Sequence, residues 1–267
     1  MELSHLLEDE ALMGLLKRAL IAASLVLFRL LPLVLLTPLF GGETSPRRFR
    51  VGLALFFAGG FLWIALPGLK DLPAPAELPL YLGRELLIGL VLAVFVRILF
   101  ELIASIGGLI DNSASASSFQ VQDPLARISR TPLSLFYQYL ALALFFAMGG
   151  HQTLILGLAG SYQSAPPAPL FAADLPALRI FSLLPALVSD LFVAAVRLAS
   201  PVIVTLLLID LMLALTNRVA QQVQVFFLGM GIKGLLAILL LTFVLPGSFD
   251  VLLRETLYRV FSVFSGV

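Results

Sequence analysis

The chain of 267 residues has no cysteine, and only 12% of its residues are charged. Without cysteine there is no disulfide, no thiolate metal site and no thiol nucleophile. Its two histidines, His5 and His151, are far apart in sequence and form no recognisable metal motif. The formal net charge is +1, so no basic field indicates nucleic acid as a partner. The sequence therefore predicts no metal site, no cofactor and no nucleic-acid surface.

Apolar residues make up 60% of the chain and are arranged in long runs. Six blocks stand out, at 19–40, 49–66, 80–110, 132–158, 180–215 and 223–245. None shows a polar period of two, so helices are favoured over strands. Two blocks, 80–110 and 180–215, exceed the roughly 20 residues that cross a bilayer, which indicates long helices or helices kinked into hairpins. We therefore predict an all-α membrane protein of about six helical blocks, forming a single membrane domain over 1–267.

Charged side chains interrupt these apolar blocks. They are Arg29, Glu85, Arg97, Glu101, Asp190, Arg197, Asp210 and Lys233. Each such charge near a bilayer centre costs about 2.5–3.5 kcal/mol on insertion scales. Arg97 and Glu101 are four residues apart, and Asp190 and Arg197 are seven apart, so each couple shares one helical face.

Three of these ions have no obvious partner in their own block: Arg29, Asp210 and Lys233. We expect their partners to come from other blocks, other chains or water. Charges in nearly every block indicate helices that pack mainly against protein in a larger assembly.

The stretch "GGLIDNSASASSFQVQDP", at 107–124, is small and polar between two apolar blocks. Gly107 and Gly108 permit sharp backbone turns, and Asp111 and Asn112 favour turns. From the residues alone, the simplest interpretation is a flexible connector. The C-terminal segment, 247–267, mixes apolar residues with a few charges and predicts an amphipathic helix on a surface or a partner.

Four stretches together resemble the FliR/SctT family, a membrane component of the export gate in flagellar and injectisome type III secretion systems. They are 28–55 with its "PRRFR" loop, 84–112 with "GGLID", 122–167 with "GGHQ", and 200–234. The resemblance covers essentially the whole chain. The sequence departs from the family pattern at Gln221, Gln224 and Gly231, where a proline, an asparagine and a proline are expected.

This resemblance implies a non-enzymatic gate subunit without cofactors, in a multi-subunit helical assembly of the bacterial inner membrane that it crosses several times. The implied partners are FliP/SctR-type, FliQ/SctS-type, FlhB/SctU-type and FlhA/SctV-type proteins, exported unfolded proteins and membrane lipid. It also implies partner contacts near Arg218 and Gln222. Asn217, Arg218 and the Ile232-Lys233 stretch favour an injectisome, whereas Gly150-His151 favours a flagellum; the balance favours an injectisome.

The resemblance further implies that 107–124 is a pore plug. Its small side chains suit a crowded lumen, and Phe119 would supply an apolar seal. The predicted plug and gating residues are Gly107, Gly108, Asp111, Asn112, Ser113, Ser115, Ser117, Ser118, Phe119, Asp123 and Pro124.

The main rival is a polytopic solute or ion transporter, which shares the apolar blocks and the intramembrane charges. Transporters often contain inverted repeats with paired broken helices, and no convincing repeat relates 1–133 to 134–267. Enzyme interpretations are weaker still. Asp190 and Asp210 lie in no catalytic motif, and Ser161 lacks the Gly-x-Ser-x-Gly context of a hydrolase.

Overall fold

The computed structural model describes residues 2–41, 45–68, 73–113, 121–122, 129–130, 132–167, 176–219, 229, 231–240, 242–244 and 246–247. The helices are α1 (Glu2–Leu36), α2 (Arg47–Ala65), α3 (Leu78–Ser113), α4 (Pro132–Ala147), α5 (Gly150–Ser164), α6 (Pro176–Val219) and α7 (Gly231–Val244). Short 3₁₀ turns follow α1 and α2, at Pro38–Phe40 and Leu66–Gly68. Apart from one two-residue strand pairing, the described chain is helical, which confirms the all-α prediction.

Each predicted apolar block overlaps a helix of the structure. Four helical segments are long and apolar enough to cross a membrane: Leu12–Leu36, Arg47–Ala65, Leu78–Asp111 and Val188–Val219. The bent pair α4 and α5 brings the number to five if it forms one span. Block 223–245 corresponds to the shorter α7. These lengths confirm a membrane protein with several apolar helices.

The two longest blocks form continuous helices. α6 runs for 44 residues through Pro185 and Pro201, although each proline removes a backbone donor from the helix. The sharp break lies elsewhere, between α4 and α5, which are bent by 70°. Gly149 there has φ of 76°, a backbone conformation that side chains with a Cβ rarely adopt. The bend is therefore made by a glycine and not by the prolines.

The described residues divide into two compact units. The first contains α1, α2, α3 up to Arg97, and α5 from Gln152; the second contains α3 from Ile98, α4, α6 from Pro185, and α7. Neither unit is continuous in sequence, because α3, α5 and α6 each begin in one unit and end in the other. The single membrane domain over 1–267 stays a prediction.

In the first unit, α2 packs against α1. The buried residues of α2 include Ala54, Ala58, Phe61 and Ala65, at spacings of three and four that lie on one helical face. Three of the four are alanines, and such short side chains let two helices approach closely. The opposite face of α2, which includes Phe56 and Trp63, is exposed.

In the second unit, the C-terminal half of α3 packs with α4. Phe100 of α3 and Phe145 of α4 are both buried, and their rings meet edge to face with centroids 5.5 Å apart. Gly150 follows closely, and a Cβ there would lie 2.6 Å from the Phe145 ring. Aromatic packing and a glycine without a side chain thus fix the start of α5 close to the end of α4.

The end of α3 corrects one local prediction. Gly107, Gly108, Asp111 and Asn112 were expected to form turns, but α3 continues as a helix to Ser113. Glycine weakens a helix by about 1 kcal/mol relative to alanine. The buried apolar side chains around the glycine pair outweigh this preference; they are Ile103, Ile106 and Ile110.

The remainder of the small polar segment is only partly described. Val121–Gln122 and Ser129–Arg130 form an antiparallel pair, with Val121 opposite Arg130. Ser115, Ser117, Ser118, Phe119, Asp123 and Pro124 lie outside the described residues. The same holds for the predicted amphipathic tail from residue 248 onward, and for Gln222.

Candidate functional site

The most polar part of the first unit is a buried ion pair between α1 and α3. Arg29 and Glu85 have fully buried side chains. Arg29 Nε donates to Glu85 Oε2 at 2.5 Å, and Arg29 Nη2 donates to Glu85 Oε1 at 3.0 Å. The guanidinium and the carboxylate therefore meet in a two-pronged geometry, which is stronger and more directional than a single contact.

The same guanidinium also binds the C-terminal end of α5. Arg29 Nη1 donates to the carbonyl of Ser161 at 2.9 Å, and Nη2 donates to the carbonyl of Ala165 at 2.7 Å. The Ser161 carbonyl also accepts from the Ala165 N–H at 3.0 Å, whereas the Ala165 carbonyl lies just beyond the helix. The last carbonyls of a helix carry its negative end, so a cation that bonds them stabilises the helix end.

Two side chains of α5 complete the surroundings of Arg29. The Tyr162 ring centroid lies 4.1 Å from the guanidinium carbon, which is within range of a cation–π contact. The Ser161 hydroxyl donates to the carbonyl of Leu158 at 2.7 Å and accepts from Arg29 Nη1 at 3.2 Å. Because this hydroxyl is fully engaged, it serves as part of the ion cluster, and the local geometry offers no support for a serine nucleophile.

Gly89 explains how α1 and α3 come close enough for this pairing. It lies four residues after Glu85, on the same face of α3. A Cβ at Gly89 would overlap the backbone carbonyl of Arg29. The absence of a side chain at this position lets α3 touch the backbone of α1 at the level of the ion pair.

A second arginine of α3 extends the cluster. Arg84 Nη1 donates to the carbonyl of Pro166 at 2.9 Å and lies 3.8 Å from Glu85 Oε1. Pro166 and Pro167 end α5, because proline cannot donate the bonds that would continue a helix. The carbonyls left free at this end are bound by Arg29 and Arg84. The cluster thus ties α1, α3 and the end of α5 together, and its chemistry is structural.

The second unit contains its own ion pair, between α6 and α7. Lys233 of α7 is buried, and its ammonium contacts Asp210 Oδ1 of α6. The Asp210 side chain is 48% exposed. This pair therefore has one buried end and one end open at the surface of the chain.

Two further polar groups of the second unit are buried. Tyr137 of α4 donates its hydroxyl to the carbonyl of Ala237 in α7 at 3.0 Å. Asp111, in the last turn of α3, is fully buried, and neither carboxylate oxygen has a hydrogen-bond partner among the described residues.

The other charges named from the sequence lie at the surface. Arg97 and Glu101 are exposed one helical turn apart on α3. Asp190, Arg197 and Arg218 are exposed on α6, and Arg218 lies in the last turn of that helix, where a cation favours the helix dipole. The structure thus pairs Arg29 with Glu85 and Lys233 with Asp210, and the other five side chains named here are exposed.

Sequence reasoning missed several members of the buried cluster: Arg84, Ser161, Tyr162 and Ala165. One signal was available, since the pair Pro166-Pro167 ends the preceding helix and so predicts free carbonyls just before it. An arginine without a partner in its own block is a natural ligand for such carbonyls. Nothing in the sequence identifies α5 as the helix that meets Arg29.

Comparison with known proteins gives a consistent result over most of the chain. The family described as bacterial export proteins, family 1, matches residues 20–257. Protein SpaR of Shigella sonnei, named for surface presentation of antigens, is 28% identical over 219 residues, covering 81% of this chain and 82% of SpaR. The flagellar biosynthetic protein FliR of Aquifex aeolicus strain VF5 is 28% identical over 236 residues, covering 85% and 86%.

A third relative is named for the translocation of Yop proteins. The Yop proteins translocation protein T of Yersinia pestis is 30% identical over 164 residues, covering 61% of this chain and 62% of that protein. The family match over residues 20–257 contains both ion pairs. It also contains all the candidate spans, apart from residues 12–19 at the start of the first span. The chain is a membrane protein and belongs to the FliR/SctT family of bacterial export proteins.

Proposed function

We propose that this chain is a non-enzymatic subunit of a type III secretion export gate, and that it helps form the inner-membrane pore for unfolded proteins. The observation that carries this proposal is the family match over residues 20–257, shared with relatives named for flagellar biosynthesis and for translocation of Yop proteins. The buried ion clusters are consistent with a structural role for the chain, because their groups bind one another.

The exposed face of α6 supports the proposal that other subunits cover this helix. Only 22% of the most apolar part of α6 is buried within the chain. Asp190, Arg197 and Asp210 are exposed along the same helix. Charges that face lipid near the bilayer centre are strongly disfavoured. We therefore assign this face to neighbouring protein, with FliP/SctR-type and FliQ/SctS-type subunits as the proposed neighbours.

The partner set is also part of the proposal. Arg218, in the last turn of α6, and Gln222 are the proposed contact residues, and FlhB/SctU-type and FlhA/SctV-type proteins are further proposed partners. Relatives carry both flagellar and injectisome names. We favour the injectisome on the sequence features near Arg218, and complementation of matched flagellar and injectisome deletion strains tests that preference.

We further propose that the segment after α3 closes the resting pore. The fixed base of this segment is the buried end of α3 at Asp111, and the pairing of Val121–Gln122 with Ser129–Arg130 brings its two arms together. Residues 113–118, which precede the first arm, are all serine or alanine, and such small side chains favour easy displacement. Gly107 and Gly108 act here as helix residues, so the proposed plug begins after Ser113.

The first test is co-expression with the neighbouring membrane genes, followed by detergent purification and native mass spectrometry. A hetero-oligomer with one copy of this chain and several copies of smaller partners is the expected result. A matched control is Tyr139→Phe, which changes only an exposed hydroxyl on α4 and should assemble normally. A stable monomer or homodimer that needs no partner would contradict the gate and favour the transporter.

The plug has its own test. Deletion of 113–118 in the assembled complex should raise ion conductance across the membrane, because the closing segment is shortened. The control replaces Ser115 and Ser117 by threonine, which keeps the length of the segment and should leave conductance low. Equal conductance in the deletion and the parent complex would rule out the plug while leaving the gate assignment intact.

A further inference from the structure

α2 presents a wide apolar face that the chain itself leaves uncovered. Its exposed large residues include Phe49, Phe56 and Trp63, spaced by seven, so they lie along one side of the helix. Trp63 is 84% exposed, and it is the single tryptophan of the sequence. A large uncovered apolar face indicates contact with lipid or with another protein.

The chemistry of this face distinguishes those two occupants. From Val51 to Ala65 the helix contains only glycine and apolar residues, without one charge, hydroxyl or amide side chain. The exposed face of α6 is different, since it carries charged residues together with Thr216. Hydrocarbon chains require no polar partner, so the apolar face of α2 can contact lipid, whereas the charges on the face of α6 disfavour lipid there.

The two ends of α2 carry the residues that favour the borders of a bilayer. Arg47 and Arg48 are exposed at its start, and Trp63 lies near its end. With a rise of 1.5 Å per residue, about 24 Å separate Arg47 from Trp63, close to the roughly 30 Å of a hydrocarbon core. Arginine heads and tryptophan rings are both enriched at the interface.

The start of α2 also favours an anion. Pro46 precedes the helix and makes no side-chain cap, and the first turn contains no acidic residue. Arg47 and Arg48 therefore add positive charge to the positive end of the helix dipole, which is unfavourable unless an anion lies nearby. Arg50 differs from them, because it is buried and donates to the carbonyl of Leu35 at 2.8 Å.

We propose that the outer face of α2 is a lipid-binding surface, on which Arg47 and Arg48 bind the headgroup of an anionic phospholipid and Phe49, Phe56 and Trp63 pack against acyl chains. This surface is separate from the α6 face assigned to neighbouring subunits. It depends on the chain being a membrane protein and does not depend on a pore or a plug.

The headgroup site is tested by native mass spectrometry of the full chain, purified in detergent and titrated with phosphatidylglycerol or phosphatidylcholine. The parent chain should retain phosphatidylglycerol preferentially. Arg47→Gln with Arg48→Gln should lower that preference roughly 10- to 25-fold, since each basic residue near an anionic headgroup contributes about fivefold. The matched control, Arg197→Gln with Arg218→Gln on α6, should keep it.

An unchanged preference in the Arg47/Arg48 variant, or an equal loss in the α6 control, would overturn the headgroup site. Displacement of phosphatidylglycerol by inorganic phosphate would also overturn it, because the site would then bind free phosphate.

The acyl-chain contact is tested in living cells with a photoreactive benzoyl-phenylalanine in place of Phe56. We expect a phospholipid adduct and no protein adduct after irradiation. A protein adduct would show that a partner helix covers this face, and it would overturn the proposal without affecting membership of the export gate. The same reporter in place of Phe61, an aromatic residue on the buried face of α2, should give no lipid adduct; an adduct there would overturn the assignment of faces.

Discussion

The two ion pairs of this protein differ in how completely their own chain satisfies them. Arg29 and Glu85 are enclosed in the first unit, where Arg29 also bonds two carbonyls at the end of α5. Lys233 in the second unit is equally buried, but its partner Asp210 is about half exposed. The first pair belongs to the fold of the single chain, whereas the second leaves a carboxylate at the surface for water or a neighbouring subunit.

The physical setting of each pair determines what its loss would do. A charge that is left buried without its partner is strongly disfavoured, whereas an exposed carboxylate keeps most of its hydration. We therefore expect a graded series of effects on stability. The largest belongs to the enclosed pair, and the smallest belongs to a single neutral hydrogen bond.

The largest effect is expected from Arg29→Met. Glu85 would lose its two-pronged partner and keep only Arg84, 3.8 Å away, and the end of α5 would lose the donors of Arg29, so the free energy of unfolding should fall by about 3–5 kcal/mol. The measurement is unfolding of the purified chain in mixed micelles, followed by circular dichroism. Arg97→Met, on the exposed face of the neighbouring helix α3, is the control and should change stability by less than about 0.5 kcal/mol.

The double variant Arg29→Met with Glu85→Met separates charge from packing. Replacing both members of a buried pair by apolar residues is often neutral, so much of the loss should be recovered. If Arg29→Met and Arg97→Met have equal stability, the enclosed pair does not stabilise the fold.

The next effect concerns the close approach that makes the pair possible. Gly89→Ala would place a methyl group against the Arg29 carbonyl, and the overpacking should lower stability by about 1–3 kcal/mol. Gly83→Ala, six residues earlier in the same helix, has open space around its Cβ position and should be neutral or stabilise by up to about 1 kcal/mol. Thermal unfolding of both variants side by side gives the comparison, and equal melting temperatures would contradict close packing at Gly89.

The sequence predicted the helical blocks well because long apolar runs with few alternatives to helix leave little ambiguity. It also located the charges that need partners, including Arg29 and Lys233. It did not identify those partners, since Glu85 lies 56 residues from Arg29 and their meeting depends on how α1 and α3 pack.

The local turn predicted at Gly107 and Gly108 shows the opposite error. Glycine pairs favour turns when considered alone, but a helix held by buried side chains on one face overrides that preference. Residues whose role depends on tertiary packing, such as Gly89 and Tyr162, carry little signal in the sequence by themselves. Residues whose role is local, such as the Pro166-Pro167 helix end, can be read from it.

A smaller effect on stability is expected at the pair of Lys233 and Asp210, whose carboxylate is exposed. Asp210→Asn keeps an oxygen that Lys233 can donate to, but removes the negative charge opposite a buried ammonium. Hydrogen bonds to charged groups contribute about 1.5–3 kcal/mol, and the exposure of Asp210 places the expected loss near the lower end. Arg218→Gln, an exposed change on the same helix, should be close to neutral. A loss for Asp210→Asn as large as that for Arg29→Met would contradict the distinction between the enclosed and the open pair.

The smallest effect isolates a neutral bond between α4 and α7. Tyr137→Phe removes the hydroxyl that donates to the Ala237 carbonyl and leaves the ring in its buried site, so the expected loss is about 0.5–1.5 kcal/mol. Tyr139→Phe on the same helix changes an exposed hydroxyl and should have no measurable effect. The difference in melting temperature between these two variants therefore reports the bond itself. If this difference is zero, the hydroxyl of Tyr137 does not stabilise the contact between α4 and α7, and that contact depends on apolar packing.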